Sequence, residues 1–288
     1  MSFAFNTKSG VGHQVRTIVG AQIEKALEEA KAGGDFDKTV HNLRRRCKKI
    51  RGVLRLIQPN FEDYKRENSA VRDAADLLGG VRDAQVMVET LDSLISAGDT
   101  HLARQHLVAR ADRLAREMEN SSPLEDFVEI FSALSERVKD WSFDNNGFDL
   151  VGDGLEKTYK QFLRDMETAE GKEDAVAMHE WRKQAKYHWF HVSLLEKSAP
   201  DLLKPREKAL DRLGDALGDH HNLHVLEQTL KGMKDQLDEF GPILSALHSR
   251  QEELAKAAFE LGLQLAAEKP GALRKRFEAY WTLLPAEA

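Results

Sequence analysis

The chain has very little cysteine and no long apolar run, and each shortage excludes a class of protein. Cys47 is the single cysteine among 288 residues, which excludes an internal disulfide and a zinc site built from several thiolates. No apolar segment approaches the roughly 20 residues that a membrane span needs, and the first ten residues lack the apolar core of a signal peptide. We therefore expect a cytoplasmic protein without membrane partners and without cysteine chemistry.

Charge is distributed unevenly along the sequence. The formal net charge is -6, from 42 basic and 48 acidic residues. The segment Lys38–Arg55 nevertheless holds eight Lys or Arg residues and no Asp or Glu, so it carries +8 while the other 270 residues carry -14. A strongly basic segment inside an acidic protein indicates local attraction of anions, with repulsion of nucleic acid elsewhere on the surface.

Helical patterns dominate the chain, and the alternation typical of strands is nearly absent. Apolar residues recur three and four positions apart, in segments rich in Ala, Leu, Glu, Lys and Gln. An apolar content of 41% and a mean hydropathy of -0.51 are typical of a folded, soluble domain. These patterns predict an all-α fold. The predicted helices are Gly12–Ala32, Asp37–Gln58, Phe61–Leu78, Asp83–Ala97, Thr100–Asn120, Pro123–Asp140, Asp149–Thr168, Asp174–Lys197, Pro205–Leu217, Asn222–Glu239, Pro242–Ala267 and Gly271–Leu284.

The sequence contains an internal repeat. A motif H-x-x-R-[RK]-x-x-K occurs twice at an offset of 138 residues, and a Leu-Gly segment occurs twice at an offset of 139, at 78–91 and 217–230. Two matches in the same order predict two homologous helical-bundle halves with pseudo-twofold symmetry, in which equivalent motifs could face each other. We place them at about 9–141 and 155–285 of a single domain, 9–285, with an Asn/Asp/Gly-rich linker at 142–154. The motif residues are His41, Arg44, Arg45 and Lys48, and then His179, Arg182, Lys183 and Lys186.

The first motif helix has a cationic side and an apolar side. At about 100° per residue, its cations fall within an arc of roughly 120° that lies opposite Leu43, Ile50 and Leu54, while Arg46 and Lys49 fall outside it. Arg forks and Lys ammonium groups suit a flexible polymer with a negative charge on every unit. The alternative is that these cations solvate an exposed face or pair with acidic residues. This stripe comprises His41, Arg44, Arg45, Lys48, Arg51 and Arg55.

Other candidates leave two interpretations open. Arg82 follows a Gly-Gly pair, where it could bind an anion or form a structural ion pair with Asp83. In the second motif helix, His188 lies on the apolar side and is predicted to be a core histidine, whereas His191 is ambiguous. The HHNLH segment could hold a metal ion through its histidines, but capping or cavity lining is the preferred interpretation. Those histidines are His220, His221 and His224.

The two motif pairs together resemble the CHAD domain family. VHNLRRRCKKIR and MHEWRKQAKYHW are similar to its two histidine-basic helices, and LLGGVRDAQV and ALGDHHNLHV are similar to its paired Leu-Gly elements. The resemblance implies an all-helical fold whose central basic cavity binds inorganic polyphosphate, with no established catalytic reaction. The second half departs from the pattern, because Trp189 aligns with Arg51 and the pair His221–Asn222 aligns with Arg82–Asp83. We therefore expect the second half to bind an anion less strongly or differently.

The leading hypothesis is noncatalytic binding of inorganic polyphosphate, without a cofactor or metal, and the resemblance also implies association with polyphosphate granules. The alternatives are a phosphate-transfer or hydrolytic enzyme that uses His41 or His179, a histidine-based metal-binding protein, and a nucleic-acid binder. The predicted polyphosphate-binding residues are His41, Arg44, Arg45, Lys48, Arg51, Arg55, Arg82, His179, Arg182, Lys183 and Lys186.

Overall fold

Helices make up nearly all of the chain that the structure describes. The structure is a computed structural model that describes residues 3–94, 102–119, 122–172, 174–233 and 240–286. Within those ranges it contains no strand, so the predicted all-α class is confirmed. No helix there has the length and apolarity to cross a membrane. The α-helices are α1 (Val11–Lys31), α2 (Phe36–Ile57), α3 (Tyr64–Asp76), α4 (Gly79–Asp92), α5 (Leu102–Glu119), α6 (Pro123–Val138), α7 (Asp149–Lys172), α8 (Ala175–Leu195), α9 (Pro200–Lys231), α10 (Gly241–Ala266) and α11 (Pro270–Trp281).

The two motif helices, α2 and α8, begin and end in the same way. Asp35 caps α2 by accepting the amide of Lys38 at 2.9 Å, and Asp174 caps α8 by accepting the amide of Ala177 at 2.7 Å. A single 3₁₀ turn follows each helix, at Gln58–Asn60 and at Glu196–Ser198. Repetition of the sequence is therefore accompanied by repetition of local structure at the same offset.

Helix α2 lies at the centre of the fold and packs against helices from both halves. Its apolar side is buried, and it contacts α1, α3, α7 and α8. Two glycines allow the approach, since a Cβ at Gly154 of α7 would lie 1.8 Å from the Leu56 carbonyl oxygen and one at Gly52 would lie 2.8 Å from Phe190. The first contact packs α7 against α2, and the second packs α8 against α2.

A smaller core joins the two halves a second time. Met87 and Leu91 of α4 and Leu107 of α5 pack with buried leucines of α9 and α10. This cluster fixes α4 against α9, which places the two Leu-Gly segments on neighbouring helices.

Two predicted helix boundaries are wrong. The predicted helices Pro205–Leu217 and Asn222–Glu239 fall on one helix, α9, because Gly218 continues the helix and lies against Arg182 instead of ending it. The helix also begins earlier, at Pro200, since Pro205 costs a single backbone hydrogen bond near the helix start. Helix α4 begins at Gly79 rather than at Asp83, so the Gly-Gly pair is helical. The predicted termini at Ala97, Thr100, Asn120 and Glu239 lie outside the described residues.

Candidate anion-binding site between the motif helices

The cationic stripe of α2 faces away from the core. His41, Arg45 and Lys48 are exposed, whereas Arg44, Arg51 and Arg55 are half-buried along its sides. The two cations predicted to fall outside the stripe, Arg46 and Lys49, do so. Arg46 donates to Glu29 of α1 at 3.0 Å, and the Lys49 ammonium lies 5.0 Å from the ring centre of Phe3.

The glycines of the Leu-Gly segments make room for the motif arginines. A Cβ at Gly79 would lie 3.1 Å from Nη1 of Arg44, and a Cβ at Gly218 would lie 3.4 Å from Nε of Arg182. The sequence identifies these glycines as repeated, but it does not show that each one lies against the arginine of its own half. The pairing explains why both motifs recur in the same order.

Lys48 shows that the cations of the two halves come close together. The pKa of its ammonium is lowered to about 8, first by lost hydration among packed neighbours, although the side chain remains partly open to solvent. Positive charge on Arg44, Arg182 and Lys186 lowers it further. Arg44 belongs to the same helix, whereas the other two belong to α8, so cations of both motifs act on the Lys48 ammonium.

The two helices differ in how their cations are neutralised. On α2, Arg44 pairs with Asp83 at 3.3 Å, while Arg45 and Lys48 have no ion pair or hydrogen bond among the described residues. On α8, Lys183 pairs with Glu180, whereas Lys186 pairs with two acidic residues of α9. The α2 stripe therefore keeps more uncompensated charge.

His41 and His179 also have different neighbours. Burial, followed by the charge of Arg82, lowers the pKa of His41. The ring of His179 lies 4.1 Å from that of His221, which aligns with Arg82, and burial followed by the charge of Arg182 lowers its pKa. The pKa of His221 is lowered to about 4, chiefly by burial and then by His179, so this position is neutral in the second half.

The predicted alternative of an Arg82–Asp83 ion pair is wrong. Arg82 donates two hydrogen bonds, of 2.8 and 3.2 Å, to Glu89, which lies about two turns further along α4. Asp83 instead pairs with Arg44. Arg82 is thus paired with Glu89 and lies beside His41, where α4 borders the α2 stripe.

Aromatic side chains border the opposite end of the stripe. The Arg55 guanidinium lies 4.9 Å from the ring centre of Tyr187 on α8 and 5.8 Å from that of Tyr64 on α3. The Lys186 ammonium lies 5.2 Å from the ring of Trp189. Sequence reasoning assigned no role to these aromatics, because aromatic residues at helical spacing are usually core. Their alignment with cations becomes visible only when α2 and α8 are packed together.

The remaining histidines do not line the stripe. His188 is fully buried, which confirms its core assignment, and its Nε2 lies 3.1 Å from Arg206 and must accept, since a guanidinium only donates. His191 is also fully buried and donates to the Gly52 carbonyl at 3.2 Å. Among the described residues no group of three His, Cys, Asp or Glu side chains could hold a metal ion. His220, His221 and His224 all lie within α9.

The fold and this site define an all-α protein in which two cationic helices of a repeat lie together. The family model of the CHAD domain matches residues 17–231, and the chain belongs to that family. The structure is similar to PptA from Streptomyces chartreusis, with a TM-score of 0.64 and 13% identity over 92% of this chain and 100% of that one. It is also similar to the CHAD domain from the plant Ricinus communis, with a TM-score of 0.61 and 18% identity over 99% and 96% of the two chains. A search among curated protein sequences finds no match.

Proposed function

We propose that the protein binds inorganic polyphosphate, without catalysis, through α2 and α8. The observation that carries the proposal is the packing of α8 against α2, on which Arg45 and Lys48 have no ion pair among the described residues. The pKa of Lys48, lowered to about 8 by lost hydration and then by the charges of Arg44, Arg182 and Lys186, agrees with this crowding of cations. Cations that repel one another in the free protein are stabilised by an anion that contacts all of them. A polymer with a charge on every unit can do so along the whole length of the stripe.

Polyphosphate fits this arrangement better than a single phosphate does. Each exposed cation contributes modestly, but contacts along one chain combine through effective concentration and through release of counterions. Long chains should therefore bind much more tightly than short ones. The acidic remainder of the protein, with a charge of -14 outside Lys38–Arg55, disfavours nucleic acid at the outer surface. Retention on polyphosphate granules in the cytoplasm is part of the same proposal.

The test is a titration of the purified protein with polyphosphate of graded length at several salt concentrations. We expect affinity to rise with chain length and to fall linearly on a logarithmic salt scale. The triple variant Arg44→Glu/Arg45→Glu/Lys48→Glu changes the charge of the stripe from +3 to -3 and should abolish binding, while helical circular dichroism persists. Normal affinity in a folded triple variant would show that the ligand binds elsewhere.

The same samples distinguish a binder from an enzyme. Polyphosphate incubated with the protein and divalent metals should keep its length, and no phosphohistidine should form on His41 or His179. Shortened chains would instead support the hydrolytic alternative, in which a histidine acts as nucleophile or general acid. Competition with single-stranded RNA should displace little polyphosphate.

A further inference from the structure

Helix α9 places a row of carboxylates along the cations of α8. Asp211, Asp215 and Asp219 are spaced four residues apart and so occupy one side of α9. The Lys186 ammonium lies 3.3 Å from Asp211 and 3.5 Å from Asp215. Asp215 and Asp219 also interact electrostatically with the Arg182 guanidinium. We call these three residues the acidic row.

Glycines hold the acidic row close to the cations. A Cβ at Gly214, between Asp211 and Asp215, would lie 2.7 Å from Cε of Lys186. A Cβ at Gly218, beside Asp219, would lie 3.4 Å from Nε of Arg182. Because α9 has no side chain at these two positions, the α8 cations lie directly on its surface between its carboxylates.

The first half has no such row. At the repeat offset of 139, Asp211 aligns with Arg72, Asp215 with Asp76 and Asp219 with Gly80. The motif arginine of that half, Arg44, pairs with Asp83 instead. The row therefore belongs to one half alone, and the repeat by itself does not require it.

We infer that the acidic row is a built-in competitor for the α8 half of the site, and that polyphosphate must displace it to engage Lys186 and Arg182. The inference rests on the proposed function and identifies Asp211 and Asp215 as residues that set its affinity. The ligand binds first to the uncompensated cations of α2. It then exchanges phosphate oxygens for carboxylates along α8.

The exchange is physically feasible because these ion pairs are accessible. Side chains of Asp211 and Asp215 are 50% and 70% exposed, and pairs of that kind are weak and screened by salt. A polymer already held on α2 presents phosphates to α8 at high effective concentration. A free orthophosphate ion has no such advantage and should fail to displace the row.

The test is a double-mutant cycle on polyphosphate affinity. Asp211→Asn/Asp215→Asn keeps the shape of the row and removes two negative charges. We expect about fivefold tighter binding of a long polyphosphate at low salt, since each removed pair is of the exposed kind. In a Lys186→Ala background the same change should have a clearly smaller effect, because only the interaction of Asp215 with Arg182 is then left to relieve.

A matched control separates competition from net charge. Glu129→Gln/Glu260→Gln removes the same two charges from exposed positions on α6 and α10, which contribute no cation to the site. It should tighten binding by less than twofold. If Asp211→Asn/Asp215→Asn loses helical content, Asp215→Asn alone provides the comparison.

The outcomes distinguish this inference from the proposed function. If the parent protein binds polyphosphate and the aspartate variant binds equally or more weakly, the carboxylates position Lys186 rather than compete for it, and the inference is wrong. An equal gain in the Lys186→Ala background would also overturn it. A parent protein that binds no polyphosphate would overturn the proposed function together with the inference.

Discussion

Helices α2 and α8 share a motif, a cap and a terminal 3₁₀ turn, yet their cations have different surroundings. On α2, Arg45 and Lys48 have no counterion among the described residues, and Arg82, which is paired with Glu89, lies beside His41. On α8, Lys183 and Lys186 are paired with acidic residues, and neutral His221 takes the place of Arg82. The two motif helices thus share their caps and terminal turns but differ in how their cations are compensated. We expect α2 to provide most of the affinity and α8 to tune it.

The largest effect should come from removing the uncompensated cations. Arg45→Ala/Lys48→Ala is expected to weaken polyphosphate binding on the order of 30-fold, because both side chains are free to bind phosphate. The matched change in the other half, Lys183→Ala/Lys186→Ala, should cost about threefold, because each lysine first has to leave a carboxylate. Titration calorimetry of both variants checks the ranking, and equal losses would contradict the asymmetry.

Replacing Lys48 alone should weaken polyphosphate binding and stabilise the fold. Lys48→Gln is expected to weaken binding about tenfold at pH 7 and to raise the free energy of unfolding by about 1 kcal/mol, much of the repulsion being screened by solvent. The ordinary pKa of 10.5 exceeds the folded value of about 8, so the unfolded state binds more protons between those values and stability rises with pH there. Polyphosphate favours the protonated form, so affinity should fall as pH rises through about 8.

The control for this prediction is Lys65→Gln, which removes an exposed lysine of α3. Its urea denaturation curve and its pH dependence of binding should match those of the parent. A Lys48→Gln variant without any gain in stability would show that Lys48 is not crowded by the cations of α8.

The histidines should give a smaller effect at lower pH. The pKa values of His41 and His179 are both lowered, chiefly by burial, and a bound polyanion favours the imidazolium. Affinity should therefore increase a few-fold as pH falls below about 6.5. At constant ionic strength, the variant His41→Gln/His179→Gln should lose the rise in affinity below about pH 6.5. It should keep the fall in affinity near pH 8 that comes from Lys48. If affinity depends on pH in the same way in the parent and in this variant, both histidines have a structural role.

The smallest effect concerns the packing of Lys186. Gly214→Ala places a Cβ 2.7 Å from Cε of Lys186, and the flexible end of that side chain must move. We expect about a twofold loss of affinity with little loss of stability. Gly80→Ala in α4 meets no atom within 4 Å and should gain up to about 1 kcal/mol of stability without affecting binding. Thermal melts of the two variants measure stability, and titrations with polyphosphate measure affinity.

The sequence was most informative where local chemistry decides the structure. Helical periodicity and the buried side of α2 follow from apolar spacing, so Leu43, Ile50 and Leu54 were placed correctly in the core. Arg46, which the angular positions placed outside the stripe, pairs with Glu29 of α1. The break predicted after Leu217 was wrong, because α9 accommodates both Gly214 and Gly218 within one continuous helix. They are packing positions under Lys186 and Arg182, and only the neighbouring helix reveals that purpose.

By itself the sequence determined an all-α chain, its repeat, and the placement of six cationic side chains on one side of α2. Those features depend on residues within a few turns of one another, where spacing and side-chain type are sufficient. The tertiary structure decided which cations remain uncompensated, because the counterion of Arg44 comes from α4 and those of Lys186 come from α9. It also decided that Lys48 lies near Arg182, which is distant along the chain. Coulomb energy depends on distance in space, and the close approach of α8 to α2 at Gly52 brings these cations together.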